Sequence, residues 1–196
     1  MGMEIELKYR ANEAVQAKVA ASFGPWQKIA METTYYDTPS GALSQRRMTL
    51  RRRLENGVSI CTVKTPAGDL GRGEWDTEAD RIEDAIEKLC QLGCPRELEE
   101  LVKEGLLEVC GARFTRHCCP VELPGAVVEL ALDAGILFSG DRQEALCEIE
   151  AELKSGTAGA LVEFGASFAR DYGLEAEDRS KFRRALALWE ERNHGI

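Results

Sequence analysis

Cys147-Glu-Ile-Glu-Ala-Glu-Leu-Lys154 is the stretch whose reading decides the fold. Side chains on a strand alternate between faces, so Glu148, Glu150, Glu152 and Lys154 share one face, and Cys147, Ile149, Ala151 and Leu153 share the other. The same split recurs at Glu4-Ile-Glu-Leu-Lys8, where Ile5, Leu7 and Tyr9 oppose the charges. It recurs at 128–133, where Val128, Leu130 and Leu132 oppose Glu129 and Asp133. Taken alone, each such strand reads as half of an ordinary sheet with one face in water. Two features point elsewhere. Acids dominate at 4–6, 129–133 and 148–152, whereas bases dominate at Arg51, Arg53 and Lys64, with Arg72 and Arg116 on further strands. A solvated surface mixes its signs. In addition, three carboxylates on one strand face repel each other unless a cation sits among them.

Working outward, residues 3–10 read as a strand and 12–22 as a helix capped by Asn12, with Val15, Val19 and Phe23 at helical spacing. Strands follow at 28–37, 47–55, 58–65 and 72–79. Asn56-Gly57 is a two-residue hairpin signal between two of them, and Pro66-Ala-Gly-Asp is the next turn. Residues 81–92 and 95–104 read as helices. Strands resume at 112–122, 126–134 and 144–154, with turns at Gly125 and Ser139-Gly-Asp141. The tail, 157–172 and 178–192, reads as two helices. Two groups of antiparallel strands, each followed by helices, predict an α+β domain whose sheet curls on itself with helices packed outside. A lumen that gathers both stripes would join hard oxygen ligands for a divalent cation to arginine and lysine donors for a polyphosphate.

The composition bounds the alternatives. The chain has 196 residues, enough for one domain with a real core, and a formal net charge of −9. That charge disfavours nucleic acid as a partner. No apolar run approaches the ~20 residues of a membrane span, and the charged N-terminus carries no export signal, so a cytoplasmic protein is expected. The 7 cysteines are odd in number and include no C-x-x-C pair, which fits reduced thiols. His117-Cys118-Cys119 is not read as a zinc site, because adjacent cysteines on a strand point to opposite faces. Trp26 and Trp75 are read as packing residues.

The ordered set of motifs resembles the CYTH domain, or triphosphate tunnel metalloenzyme, family. Glu4-x-Glu6-x-Lys8 is similar to its E-x-E-x-K signature. Thr34-Tyr-Tyr-Asp-Thr-Pro39 resembles its Y-Y-D-T-P segment, and Leu50-Arg-Arg-Arg53 its L-R-x-R strand. Thr62-Val-Lys64 and Gly71-Arg-Gly-Glu74 are similar to later strands. Val128-Glu-Leu-Ala-Leu-Asp-Ala-Gly135, the stretch quoted first and Ser180-Lys181 complete the series. The match spans 4–181. It implies a single domain over 1–196, built as a closed eight-stranded antiparallel β-barrel (a tunnel). It further implies metal ligands at Glu4, Glu6, Asp133, Glu148 and Glu150, and triphosphate clamps at Lys8, Arg51, Arg53, Arg72, Arg116 and Lys181. Lys64 and Tyr35 would lie at the attacked phosphate, and Glu129 and Glu152 would orient the ligands. Arg113 is the alternative to Arg116, because the register around Pro120 is open; Tyr35 or Tyr36 could instead pack, and Lys181 could be a solvated helix residue.

The activity implied by the resemblance is hydrolysis of a triphosphate, inorganic triphosphate first, with magnesium or alternatively manganese. The partner is a triphosphate-containing small molecule, and a helical CHAD domain is a further candidate, since such domains are often fused. Two other functions share the scaffold. A class IV adenylyl cyclase would make cyclic AMP and pyrophosphate from ATP, and it needs a base pocket for which no segment is a marker. A polyphosphate- or nucleotide-binding module without turnover would not need Lys64 beside intact carboxylates.

Overall fold

The computed structural model describes residues 2–67 and 71–194, apart from the side chains at 2–3, 67, 71–72 and 191–194. The strands are β1 (Gly2–Glu4), β2 (Glu6–Arg10), β3 (Gln27–Asp37), β4 (Thr49–Glu55), β5 (Val58–Ala67), β6 (Gly71–Glu78), β7 (Leu107–Leu123), β8 (Ala126–Ser139), β9 (Arg142–Gly156) and β10 (Glu175–Ala176). They form a 10-stranded antiparallel sheet in the order β1-β6-β5-β4-β3-β7-β8-β9-β2-β10. β1 and β2 are consecutive pieces of one segment parted at Ile5. Glu4 pairs with Arg72 on β6, while Glu6 pairs with Glu152 on β9. The N-terminal segment therefore lies at one end of the strand order as β1 and next to the other end as β2, outside which only the two residues of β10 pair.

The helices are α1 (Glu13–Ser22), α2 (Ala42–Gln45), α3 (Ile82–Gln91), α4 (Glu97–Leu101), α5 (Ala158–Tyr172) and α6 (Lys181–His194). Asn12 caps α1 by accepting from the Val15 amide, as its sequence position predicts. The hairpin signal also holds: Asn56 and Gly57 both take positive φ, at 50° and 89°. The expected helix at 95–104 is only α4 followed by a 3₁₀ turn at Val102–Glu104. The short α2 was not foreseen. Asp37 builds it by accepting from the amides of Leu43 (2.9 Å) and Ser44 (3.1 Å).

β7, β8 and β9 run well past the expected 112–122, 126–134 and 144–154. Val109, Cys110, Leu137 and Leu146 are buried there, so the polar–apolar alternation fades. The cause is α6. Phe182, Ala185 and Leu186 pack on Ala112, Phe114, Leu137 and Leu146. Those residues have the strand parity of Arg116, Asp133 and Glu148, so α6 covers the charged face of the sheet. The expectation that all helices pack outside is thus corrected for α6. On the opposite face it holds: α3 and α4 bury Leu50, Val63 and Trp75, and α1 and α5 bury Leu130, Ile149 and Ala151. No described helix is long and apolar enough to cross a membrane.

Candidate functional site

Register brings the two charge stripes together. Arg116 pairs with Asp133, Asp133 with Glu148, and Glu150 with Lys8 across three strand boundaries. Arg116 grips Asp133 with two bonds, Nε to Oδ1 at 2.8 Å and Nη2 to Oδ2 at 2.7 Å, and reaches Glu150 as well. Such bidentate geometry is the strong form of a charge-assisted hydrogen bond. From the first turn of α6, Lys181 Nζ touches Asp133 Oδ2 at 2.7 Å and Glu150 Oε1 at 2.8 Å, and contacts Glu148. Lys181 is therefore an inward residue rather than a solvated one. Arg116, not Arg113, faces inward; Arg113 is exposed and pairs with Glu32 at 3.0 Å.

The same cavity holds a second group. Lys64 Nζ contacts Glu4 and, at 3.3 Å, Glu74, which also accepts from Arg51 at 3.4 Å. Arg53 is bonded to Glu55, and Lys8 lies 3.3 Å from Glu6. The cavity measures about 400 Å³, and it collects Glu4, Glu6, Lys8, Tyr35, Arg51, Arg53, Lys64, Arg116, Glu150 and Lys181. Tyr35 is buried with its ring 5.1 Å from Phe182, and no hydrogen bond joins it to Lys64 among the described residues. Tyr36 points the other way, into the outer core. Arg72 pairs with Glu4 through its backbone, but its side chain lies outside the described residues. Glu129 and Glu152 do not orient the acidic trio as expected. They pair with Lys154, at 3.3 and 2.9 Å, near the other end of the strands.

Burial and neighbours tune these groups. Burial pushes Glu148 up to about 7, against the pull of Lys181 and with the push of Glu150. Burial would raise Glu150 too, but Lys181, Arg116 and Lys8 outweigh it and hold that carboxyl well below the usual range. Glu6 is raised by burial and by Glu150. Burial opposes the charge of Glu4, yet Lys64 wins and lowers it. Burial and the neighbouring Arg51 lower Arg53. The Nε groups of Arg51 and Arg53 are buried without any hydrogen-bond partner.

Asp133, Glu148 and Glu150 form a metal-sized cluster, with one carboxylate oxygen from each within 4.8 Å of the others. All three are buried. Hard oxygen donors at that spacing suit magnesium or manganese. Residues 2–186 match a family model, the CYTH domain.

The chain belongs to the CYTH family.

Among its relatives is the inorganic triphosphatase of Haemophilus influenzae, 27% identical over 197 residues; the match covers 96% of this chain and 55% of the relative. The chain thus spans about half the length of that curated relative. A Pyrococcus horikoshii OT3 structure is 27% identical, with a TM-score of 0.65 over 94% of this chain and 98% of that one. A proposed adenylyl cyclase from Hippeastrum, described as having a dominant triphosphatase activity, shares the fold with a TM-score of 0.68. It is 17% identical over 98% of this chain and 96% of its own.

Two members of this CYTH site, Arg184 and Gln16, were not read from the sequence. Arg184 donates to Glu148 Oε2 at 3.0 Å and to Glu144 Oε1 through Nε at 2.9 Å. Its signal was present: it lies three residues after Lys181, on the same helix face. Gln16 on α1 donates from Nε2 to the backbone carbonyls of Asp133 (2.9 Å) and Glu148 (3.0 Å), pinning both acidic strands from the outside. Glu74, which closes the Gly71-Arg-Gly-Glu74 motif, was given no role, and the structure has it bridge Lys64 and Arg51.

Proposed function

We propose that the sheet closes through its N-terminal segment into an eight-stranded tunnel, and that this tunnel hydrolyses a triphosphate, inorganic triphosphate above all, with magnesium or manganese. The division of β1 and β2 between the two ends of the strand order supports the closure. β1 and β2 then count as one strand, with β10 a two-residue addition. The observation that carries the activity is the pair of buried arginines, Arg51 and Arg53, whose Nε donors have no partner, lining the cavity that also holds Glu150 of the acidic trio. Unsatisfied buried donors are costly, and an anion with many acceptor oxygens satisfies them. The triphosphatase names of the Haemophilus and Hippeastrum proteins support the same reading.

In this reading Asp133, Glu148 and Glu150 hold the metal, with Glu4 and Glu6 completing its surroundings. The metal, when bound, supplies positive charge against the phosphoryl oxygens. Arg51, Arg53, Lys8, Arg116 and Lys181 bind the phosphate chain, with Arg72 as a further clamp. Arg116 and Lys181 now hold carboxylates, so these cations and acids exchange counter-ions when ligands enter. Lys64 Nζ now donates to both Glu4 oxygens and lies 3.3 Å from Glu74, so all three of its donors face carboxylates, and it turns to water and phosphate as Glu4 turns to the metal. In this reading Lys64 holds a water oxygen for attack on the terminal phosphorus, and the shared lining of one cavity by Lys64 and Tyr35 supports giving Tyr35 a place beside it. α6 closes the inner face and limits other water.

The deciding experiment is phosphate release from tripolyphosphate, thiamine triphosphate and nucleoside triphosphates, with magnesium, with manganese and with chelator. Metal-dependent release, fastest from tripolyphosphate, is expected. Tight binding without release would make the chain a binding module.

A further inference from the structure

Every carboxylate oxygen of the acidic trio is held by a cation, and the cations are of two kinds. Asp133 Oδ1 and Glu150 Oε2 face Arg116, Glu148 Oε1 and Glu150 Oε1 face Lys181, and Asp133 Oδ2 faces both. Arg116 and Lys181 line the lumen. The remaining oxygen, Glu148 Oε2, accepts from Arg184 Nη1 at 3.0 Å, and Arg184 is not among the residues lining the lumen.

The whole fork of Arg184 is committed. The residue is buried, about one turn along α6 from Lys181. Its Nε donates to Glu144 Oε1 at 2.9 Å, and its Nη2 donates to the same oxygen and, at 3.3 Å, to the Ala145 carbonyl. A planar guanidinium gripped on three sides keeps its orientation. Turning to a phosphate in the lumen would cost Arg184 its bonds to Glu144, Ala145 and Glu148 together. Arg116 and Lys181 stand beside the lumen and can trade carboxylate oxygens for phosphate oxygens. From the other face of the sheet, Gln16 holds the Glu148 carbonyl at 3.0 Å. Both the main chain of Glu148 and one of its carboxylate oxygens are thus fixed from outside the lumen.

We infer that Arg184 is a positioning residue that sets metal selectivity: it stays on Glu148 Oε2 after Lys181 turns to phosphate, so Glu148 offers a metal only Oε1. The inference rests on the metal and triphosphate reading of the lumen and deepens it. Magnesium demands a near-octahedral set of oxygens and keeps several waters, whereas calcium takes more oxygens and often grips a carboxylate by both. A glutamate with one oxygen locked disfavours calcium. Arg184 also leaves the buried Glu148 a counter-charge once Lys181 has gone, and a buried charge without one is strongly destabilising.

Calorimetry of magnesium and of calcium binding to the whole chain, saturated with non-cleavable imidotriphosphate, tests it. The wild type is expected to bind magnesium roughly tenfold more tightly than calcium. Arg184→Met is expected to raise the Kd of magnesium about tenfold and to leave that of calcium unchanged or lower, because Glu148 Oε2 is then released. Glu144→Gln weakens the hold of Arg184 on β9 but spares its bond to Glu148. It should lower Tm and keep the ratio of the two Kd values within about threefold of wild type. An unchanged ratio in Arg184→Met, or an equal fall in Glu144→Gln, makes Arg184 a clip between α6 and β9 and overturns its role while the metal site stands. A wild type that binds both ions equally overturns that role whether or not Arg184→Met folds. A wild type that binds neither ion overturns the metal reading and the role of Arg184 with it.

Discussion

Lys64 Nζ donates to both oxygens of Glu4, at 2.7 and 2.6 Å, across 60 residues of sequence. The contact ties the proposed water-holding lysine to a proposed metal ligand, so each fixes the other's position. A group that acts on the attacking water matters in the transition state more than in the bound ground state. Lys64→Ala is therefore expected to lower kcat about 100-fold while KM changes by less than about threefold. Steady-state kinetics with tripolyphosphate reads the split. A variant with raised KM and normal kcat would make Lys64 a simple phosphate clamp.

The carboxylates are tested by Glu4→Gln and Glu150→Gln. Both should abolish metal-dependent turnover. Glu150 lies against Lys181, Arg116 and Lys8, so its neutralisation leaves those cations with less counter-charge and is expected to destabilise the fold by about 3 kcal/mol. Glu4 has fewer cationic neighbours and should cost less. A ligand that binds only the native state raises Tm in proportion to its occupancy. Magnesium should raise the Tm of the wild type and not of Glu150→Gln. Turnover by both variants at saturating magnesium would reject these ligands.

Arg53→Ala separates clamp from general charge. The Arg53 Nε donor is buried and partnerless, and Glu55 holds the other side of its guanidinium. A charge-assisted hydrogen bond is worth about 1.5–3 kcal/mol, roughly a 10- to 100-fold change in affinity. Tripolyphosphate spans several clamps at once and should lose that much; orthophosphate should lose less than about threefold. Equal losses in calorimetry would show that Arg53 acts only through the overall field.

Glu177 gives a pH dependence independent of the metal site. It accepts from the Arg179 amide at 3.0 Å, from Arg179 Nε at 3.1 Å and from Arg10 Nε at 3.0 Å. Burial works to raise its carboxyl, but these bonds, those of Arg179 first, hold it down at about 2. A depressed carboxyl contributes stability that is full above the ordinary value near 4.5 and is lost as pH falls through about 2. Glu177→Gln should cost about 1–2 kcal/mol at pH 7, allowing for the exposure of both arginines. The gap from wild type should close progressively between pH 4.5 and 2. Denaturant melts across that range check it, and a constant gap would contradict the linkage.

Much of this was legible because β-strand parity is strict. The alternation at 147–154 and 4–8 placed Glu148, Glu150, Glu6 and Lys8 on one face, and the structure keeps them there. Arg113 and Arg116 could not be separated by sequence because the register around Pro120 was open, and pairing with Asp133 settles it. Parity said nothing about α6. Its Phe182, Ala185 and Leu186 look like any amphipathic core face, and only the tertiary contact shows that this face meets the inside of the sheet.

The last prediction concerns the reaction taken by ATP. The charged groups converge on phosphate and metal, and Lys64 sits among carboxylates, where it can hold water. A cyclase must instead direct the ribose hydroxyl at the innermost phosphorus and expel pyrophosphate. That step requires the sugar to be fixed inside the cavity, whose volume of about 400 Å³ is crowded by cationic side chains, among them Lys8, Arg51, Arg53, Lys64, Arg116 and Lys181. ATP with magnesium is therefore expected to give orthophosphate and little cyclic AMP, and tripolyphosphate is expected to have the higher kcat/KM, because its whole length can engage the clamps. Chromatography of the products decides the matter. Cyclic AMP and pyrophosphate as the main products, with tripolyphosphate acting only as an inhibitor, would overturn the hydrolase reading while leaving the phosphate site in place.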